Sequence, residues 1–248
     1  VSNSEIKSLY NEKKEMYKQY TETRDIKYID VLVTASQEDR NQLEKEVEEY
    51  AEQLAAGDVE LAPFIRSTGS TVLYSEVPVK GSAYPRDIAN KLDTAKVGVV
   101  SAPYYNRADD SFNAFKVIAK VNEPDSVQYR VIQVVAADEA ATDVLADSIY
   151  TAIKGGADFA ELAKKYGQEG QEMWISGAQY EGAPVEAENA TLVNTLNNMK
   201  KNELKNLDLG QVNLILQVLD RKAMIDKYQV AVIKRPVDFS KETYNKAY

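Results

Sequence analysis

The sequence contains no histidine and no cysteine. The first absence removes the commonest general base near neutral pH and a leading metal ligand. The second removes disulfides, thiolate metal sites and cysteine nucleophiles, and it suits a periplasmic or a cytoplasmic home equally. No apolar run approaches the ~20 residues of a membrane span, and nothing at the start reads as a signal peptide. Gly155-Gly156 is not followed by the Lys-Ser/Thr of a phosphate loop. Ser176-Gly177 lacks the preceding glycine of a nucleophile elbow. Asp109-Asp110 reads as a turn, not a metal site. No metal, nucleotide or triad site is expected, and no cofactor.

What is present is enough for a packed protein. Of 248 residues, 44% are apolar, so the chain is neither disordered nor short of a core. The net charge of -9 and pI near 4.8 argue against nucleic acid or an anionic membrane surface as partner. The run Glu44-Lys45-Glu46-Val47-Glu48-Glu49 reads as a solvated helix face.

The most informative stretch is Lys154 to Gly167, KGGADFAELAKKYG. Gly155 and Gly156 suit a helix C-terminus that needs positive φ. Asp158 is a natural N-cap, with Glu161 as its capping-box partner. Phe159, Leu162, Ala163 and Tyr166 share one helical face. A weaker copy, GDVELAPFI, starts at Gly57.

Around these copies a pattern occurs twice. Asp25 to Val33 and Val127 to Ala136 alternate like opening strands. Ser36 to Ala56 and Ala140 to Ile153 read as long helices, each followed by the short one. Third helices are expected from Pro85 to Leu92 and from Glu188 to Lys200. Strands Phe115–Val121 and Tyr228–Lys234 close the two copies. The expected architecture is α+β: residues 1–22 a helical segment of a larger upstream domain, 23–123 and 124–239 two tandem domains, and 240–248 the start of a cut helix. Both ends read as cut, which predicts a piece of a longer protein.

The wording of these elements resembles the parvulin-type peptidyl-prolyl isomerases. DSVQYRVIQV (from Asp125) resembles the family's first strand, GADFAELAKKYG its helix motif, EMWIS its central strand and KYQVAVI its last strand. The leading SEIKSLYNEKKEMYKQ is similar to the helix that precedes such domains in SurA- and PpiD-type folding factors of the Gram-negative periplasm. The resemblance implies two tandem parvulin-like (FKBP-like) domains, each a small antiparallel sheet covered by helices. It also implies a periplasmic setting, with a membrane tether outside these residues and no insertion by the chain itself. The implied partners are unfolded or extended polypeptides, outer-membrane proteins among them.

Active parvulins carry two histidines facing each other. Carried over, these positions fall on Tyr28 and Lys116 in the first copy and on Val131 and Gln229 in the second. Prolyl isomerisation breaks no bond. A pocket that grips proline and twists the amide lowers the barrier by differential binding alone. The resemblance therefore implies a chaperone-like binder of extended segments. The alternatives are an isomerase that works through its apolar pocket and a scaffold that only docks. Met173, Trp174, Tyr180 and Met199 are the candidate peptide-binding residues, against the plainer reading that aromatics at strand centres pack. Tyr84-Pro85 and Tyr104-Tyr105 are candidate client-facing aromatics.

Overall fold

A computed structural model describes residues 1–22, 24–182 and 185–247. The first long helix, α2 (Gln37–Ala56), follows a short one, α1 (Asn3–Lys13). The Ser36 hydroxyl accepts from the Asp39 N–H, and the Asp39 carboxylate accepts from the Ser36 N–H, so the expected start is closed reciprocally. Leu43, Val47, Ala51 and Leu54 form its buried stripe. The chain continues through α3 (Leu61–Ser67), β1 (Val79–Lys80), α4 (Arg86–Leu92), β2 (Tyr104–Asn106) and β3 (Ser111–Pro124). Arg40 of α2 grips Asp110 in the β2–β3 turn through two bonds of 2.6 and 2.9 Å. That contact holds the Asp110 carboxyl down at about 2.

A second unit follows: β4 (Ser126–Val134), α5 (Glu139–Lys154), α6 (Phe159–Lys165), β5 (Met173–Ser176), α7 (Ala187–Asn198), β6 (Leu204–Asp208) and β7 (Asn213–Arg221). Then come β8 (Met224–Pro236) and α8 (Lys241–Ala247). The Thr243 hydroxyl of α8 donates to Asp39 at 2.6 Å, setting this last helix against the start of α2.

The sheet pairing corrects the expected division. Two four-stranded antiparallel sheets form, in the orders β1-β8-β3-β2 and β5-β4-β7-β6. Strand Tyr228–Lys234, expected to close the unit 124–239, lies in β8 and joins the first sheet. It pairs with β3 from Ser111↔Pro236 to Pro124↔Met224. The second sheet is complete without it, because β7 closes against β4 and β6. Residues 126–221 are therefore an insertion between two strands of the first sheet. Entry and exit lie side by side: the Asp125 N–H donates to Ala223 O, and the Lys222 N–H to Ser126 O, each at 2.9 Å.

The expected opening strand Asp25 to Val33 is not a strand. The position next to β3 on its inner side is already filled by β8, and Ile26, Tyr28, Ile29 and Leu32 are left exposed. The α1 helix likewise buries no side chain.

Helices pack on both faces of each sheet. On the first sheet, Ala231 and Ile233 pack under α2 and α3, while Val230 and Val232 pack with Phe115, Val117, Ile88 and Leu92 on the α4 side. On the second, Ile132, Val134 and Ile215 meet Ala146, Ile149, Phe159 and Ala163 of α5 and α6. Its other face carries Val127, Tyr129, Leu216 and Val218 against Ala190, Val193 and Leu196 of α7. Val77, from the segment before β1, is buried in that last cluster, so the two units share apolar contact.

A buried charge pair of the first sheet lies at this junction. Lys227 of β8, 1% exposed, places Nζ 3.7 Å from Glu123 of β3. Asn197 of α7 donates to the same carboxylate at 2.8 Å. Burial raises the Glu123 pKa and lowers that of Lys227, so each charge depends on the other. Lys227→Met, which leaves Glu123 buried and uncompensated, is expected to cost about 3 kcal/mol in urea denaturation. Adding Glu123→Gln, which still accepts from Asn197, should recover most of it. A Lys227→Met protein as stable as the parent would show that the pair does not hold the junction.

Candidate functional site

The second sheet presents one face that is not fully covered. Alternation along β4 sends Val127, Tyr129, Val131 and Gln133 to the α7 side. The ladder sets Tyr129 opposite Val218, Val131 opposite Leu216 and Gln133 opposite Leu214. Past the cover of α7 this face opens into a concavity of about 440 Å³. Gln133, Leu192, Leu209 and Leu214 form its floor and walls, and Glu188, Asn189 and Gln211 line it further.

The opposite face is closed by the helix pair. Of the two glycines after α5, only Gly156 takes positive φ, at 101°. Gly155 stays in the right-handed region. The Asp158 carboxylate accepts from the Glu161 N–H at 2.9 Å, as expected of an N-cap. Glu161 pairs with Lys164 at 2.9 Å, so its carboxylate turns along the helix. Phe159 and Ala163 are buried against the sheet, and the Arg130 guanidinium lies 4.4 Å from the Phe159 ring. Arg130 Nε also donates to Gln217 across the ladder at 2.9 Å.

A strand, a long helix, a short glycine-flanked helix, and three more strands around α7 make up this inserted unit. Residues 108–222 match the family model of the PPIC-type PPIase domain. The match runs from the β2–β3 turn to the end of β7 and stops just before β8. It thus takes in every strand of the second sheet, and its C-terminal limit agrees with the pairing. No curated protein and no solved structure matches the chain. A parvulin-type domain therefore occupies this stretch, and its sheet carries the open groove.

The four positions carried over from the family histidines separate. Val131 lies on β4 and faces the α7 side. Gln229, expected to face it, sits on β8 in the other sheet, where its amide donates to the Tyr74 hydroxyl at 2.8 Å. The residue across the ladder from Val131 is Leu216. Read as the closing strand of the second unit, KYQVAVI takes the place that β7 holds between β4 and β6. The β6 residues Leu204-Lys205-Asn206-Leu207-Asp208 alternate poorly, and the clearer sequence signals are Gly210, which takes positive φ in the turn, and the apolar run of β7. In the first unit Tyr28 lies in the exposed segment, while the Lys116 ammonium donates to the Leu54 carbonyl near the end of α2 at 3.1 Å.

The four candidate peptide contacts do not line one cavity. Met199 is buried in the α7-side core, and Tyr180 packs half-buried against it, its phenol pKa raised by desolvation. Met173 shares the face of Ile175 at the sheet edge and is exposed. Trp174 points to the other face, beside Gln128, with the Lys222 ammonium 5.0 Å from its ring. The sequence does not single out the groove residues Leu192, Leu209 and Leu214. As single leucines on α7, in the β6–β7 turn and on β7, they carry no local pattern.

The Tyr84 hydroxyl donates to Tyr228 O at 3.0 Å, and Tyr104 donates to Asp87 at 2.6 Å. Both phenols are spent on the fold, and only Tyr105 of this group is exposed.

With 42% of its surface exposed, Trp174 is expected to be quenched readily by acrylamide. Leu214→Gln, on the other face, should leave its emission unchanged. An emission that shifts with Leu214→Gln would place the two on one surface.

Proposed function

We propose that the parvulin-type unit holds extended, proline-containing segments of unfolded polypeptide in the α7-side groove and is at most a slow isomerase. The observation that carries this reading is the aliphatic pair on β4 and β7 beneath the groove. Val131 stands at one of the positions where the family resemblance puts a histidine, its partner across the ladder is Leu216, and the sequence contains no histidine. Neither of these two side chains titrates or donates a hydrogen bond to a twisted amide. What remains is shape and apolar area, which bind an extended strand more readily than they lower a barrier of ~18–20 kcal/mol.

We further infer that the first unit is a divergent copy of the same fold. Its sheet order, β1-β8-β3-β2, matches β5-β4-β7-β6 position by position once β8 stands where β4 does. In both, the long and short helices cover one face and a third helix the other. Together with the charged leading helix, this supports a SurA/PpiD-like folding factor acting on envelope proteins in the periplasm, tethered through a segment outside these residues. A second reading keeps catalysis. An apolar groove that favours the twisted amide over the planar one would isomerise proline without any titrating group.

A proline-isomerisation assay on a short X-Pro peptide, run beside a histidine-containing parvulin, separates the two. The expected rate is the uncatalysed background. The same peptide should bind, and Leu214→Asp should weaken that binding about tenfold. A clear catalytic rate would overturn the binding-only reading in favour of the second, and absence of binding would overturn both.

A further inference from the structure

The polar lining of the groove is uneven. Four of its side chains are aliphatic: Leu192, Leu209, Val212 and Leu214. Three are amides, Gln133, Asn189 and Gln211, suited to the N–H and C=O groups of an extended backbone. Among the described residues that line it, Glu188 is the only charged one, and none is cationic. Glu188 sits in the first turn of α7, which fixes its Cα on a rigid element beside the opening. Lys205 lies on the same sheet face one strand further out, opposite Leu216, and does not line the concavity. The chain as a whole carries a charge of -9, which adds attraction for cations at longer range.

We propose that the groove selects proline segments flanked by lysine or arginine, and that Glu188 is the residue that reads the charge. The inference rests on the peptide-holding role given above and adds its substrate class. An aliphatic floor takes the proline ring, the amides hold the backbone, and the carboxylate pairs with a neighbouring ammonium or guanidinium. An acidic neighbour meets Glu188 with like charge and is disfavoured.

The test uses the intact chain and three blocked peptides that differ only in the residues flanking one proline: lysine, alanine or glutamate. Binding is measured by fluorescence anisotropy at low and at high salt. The lysine peptide is expected to bind about fivefold tighter than the glutamate peptide at low salt, with the ratio shrinking as salt screens the pair. Glu188→Gln should bring the ratio to about one, and Glu188→Lys should invert it. Glu139→Gln, on α5 across the sheet, should keep the parent ratio.

Equal affinities for the three peptides would overturn the inference while leaving peptide holding intact. A ratio that survives Glu188→Gln would also overturn it, since overall charge would then be the cause. Failure of even the alanine peptide to bind would sink the peptide-holding role itself, and this assignment with it.

Discussion

The ladder between β3 and β8 is the constraint on which the rest of the molecule depends. It is the longest strand pairing described in the chain, running from Ser111↔Pro236 to Pro124↔Met224. It brings Val230, Val232 and Ile233 into two cores at once and sets Lys227 against Glu123 where the units meet. An ion pair so deeply placed contributes little net stability, because desolvation offsets most of the attraction. Its effect is on register. Sliding β8 by one residue would turn Lys227 away from Glu123 and exchange every apolar side chain between the two faces.

The groove depends on that frame only indirectly. Its floor belongs to β4 and β7, and its wall to α7. Yet α7 is tied to the first unit through Asn197 on Glu123, and Val77 reaches across to fill the core beneath it. The open face is thus held at a fixed distance from the helix that borders it. A ligand entering there would meet surface already formed, so little ordering entropy would oppose it.

How much of this was legible in the sequence depended on the range of the interaction responsible. The α6 motif, the Ser36 and Asp158 caps, the α2 stripe and the β2–β3 turn are set by residues a few positions apart, and all were readable. Partnership between strands was not. Asp25–Val33 and Tyr228–Lys234 alternate alike, and nothing local says that only the second enters a sheet beside β3. The same limit applies to the site. Alternation puts Val131 on a strand, but its partner across the ladder, Leu216, follows only from the pairing of β4 with β7. Trp174 is the single tryptophan, yet alternation from Ile175 turns it away from the groove.

The insertion has a consequence for how the chain is made. Residues 126–221 close their sheet with contiguous sequence, so that unit is complete as soon as β7 leaves the ribosome. The first sheet has by then only β1, β2 and β3, and β3 has no partner on its inner edge until β8 follows. During that interval Phe112, Ala114, Phe115 and Val117 lack the strand that packs beside them. Loop closure over so long an excursion costs little more than over a short one if its ends are already together. The folded insertion does that, because its first and last strands emerge bonded side by side. The unit synthesised in the middle thus acts as the clamp that delivers the last strand to the first.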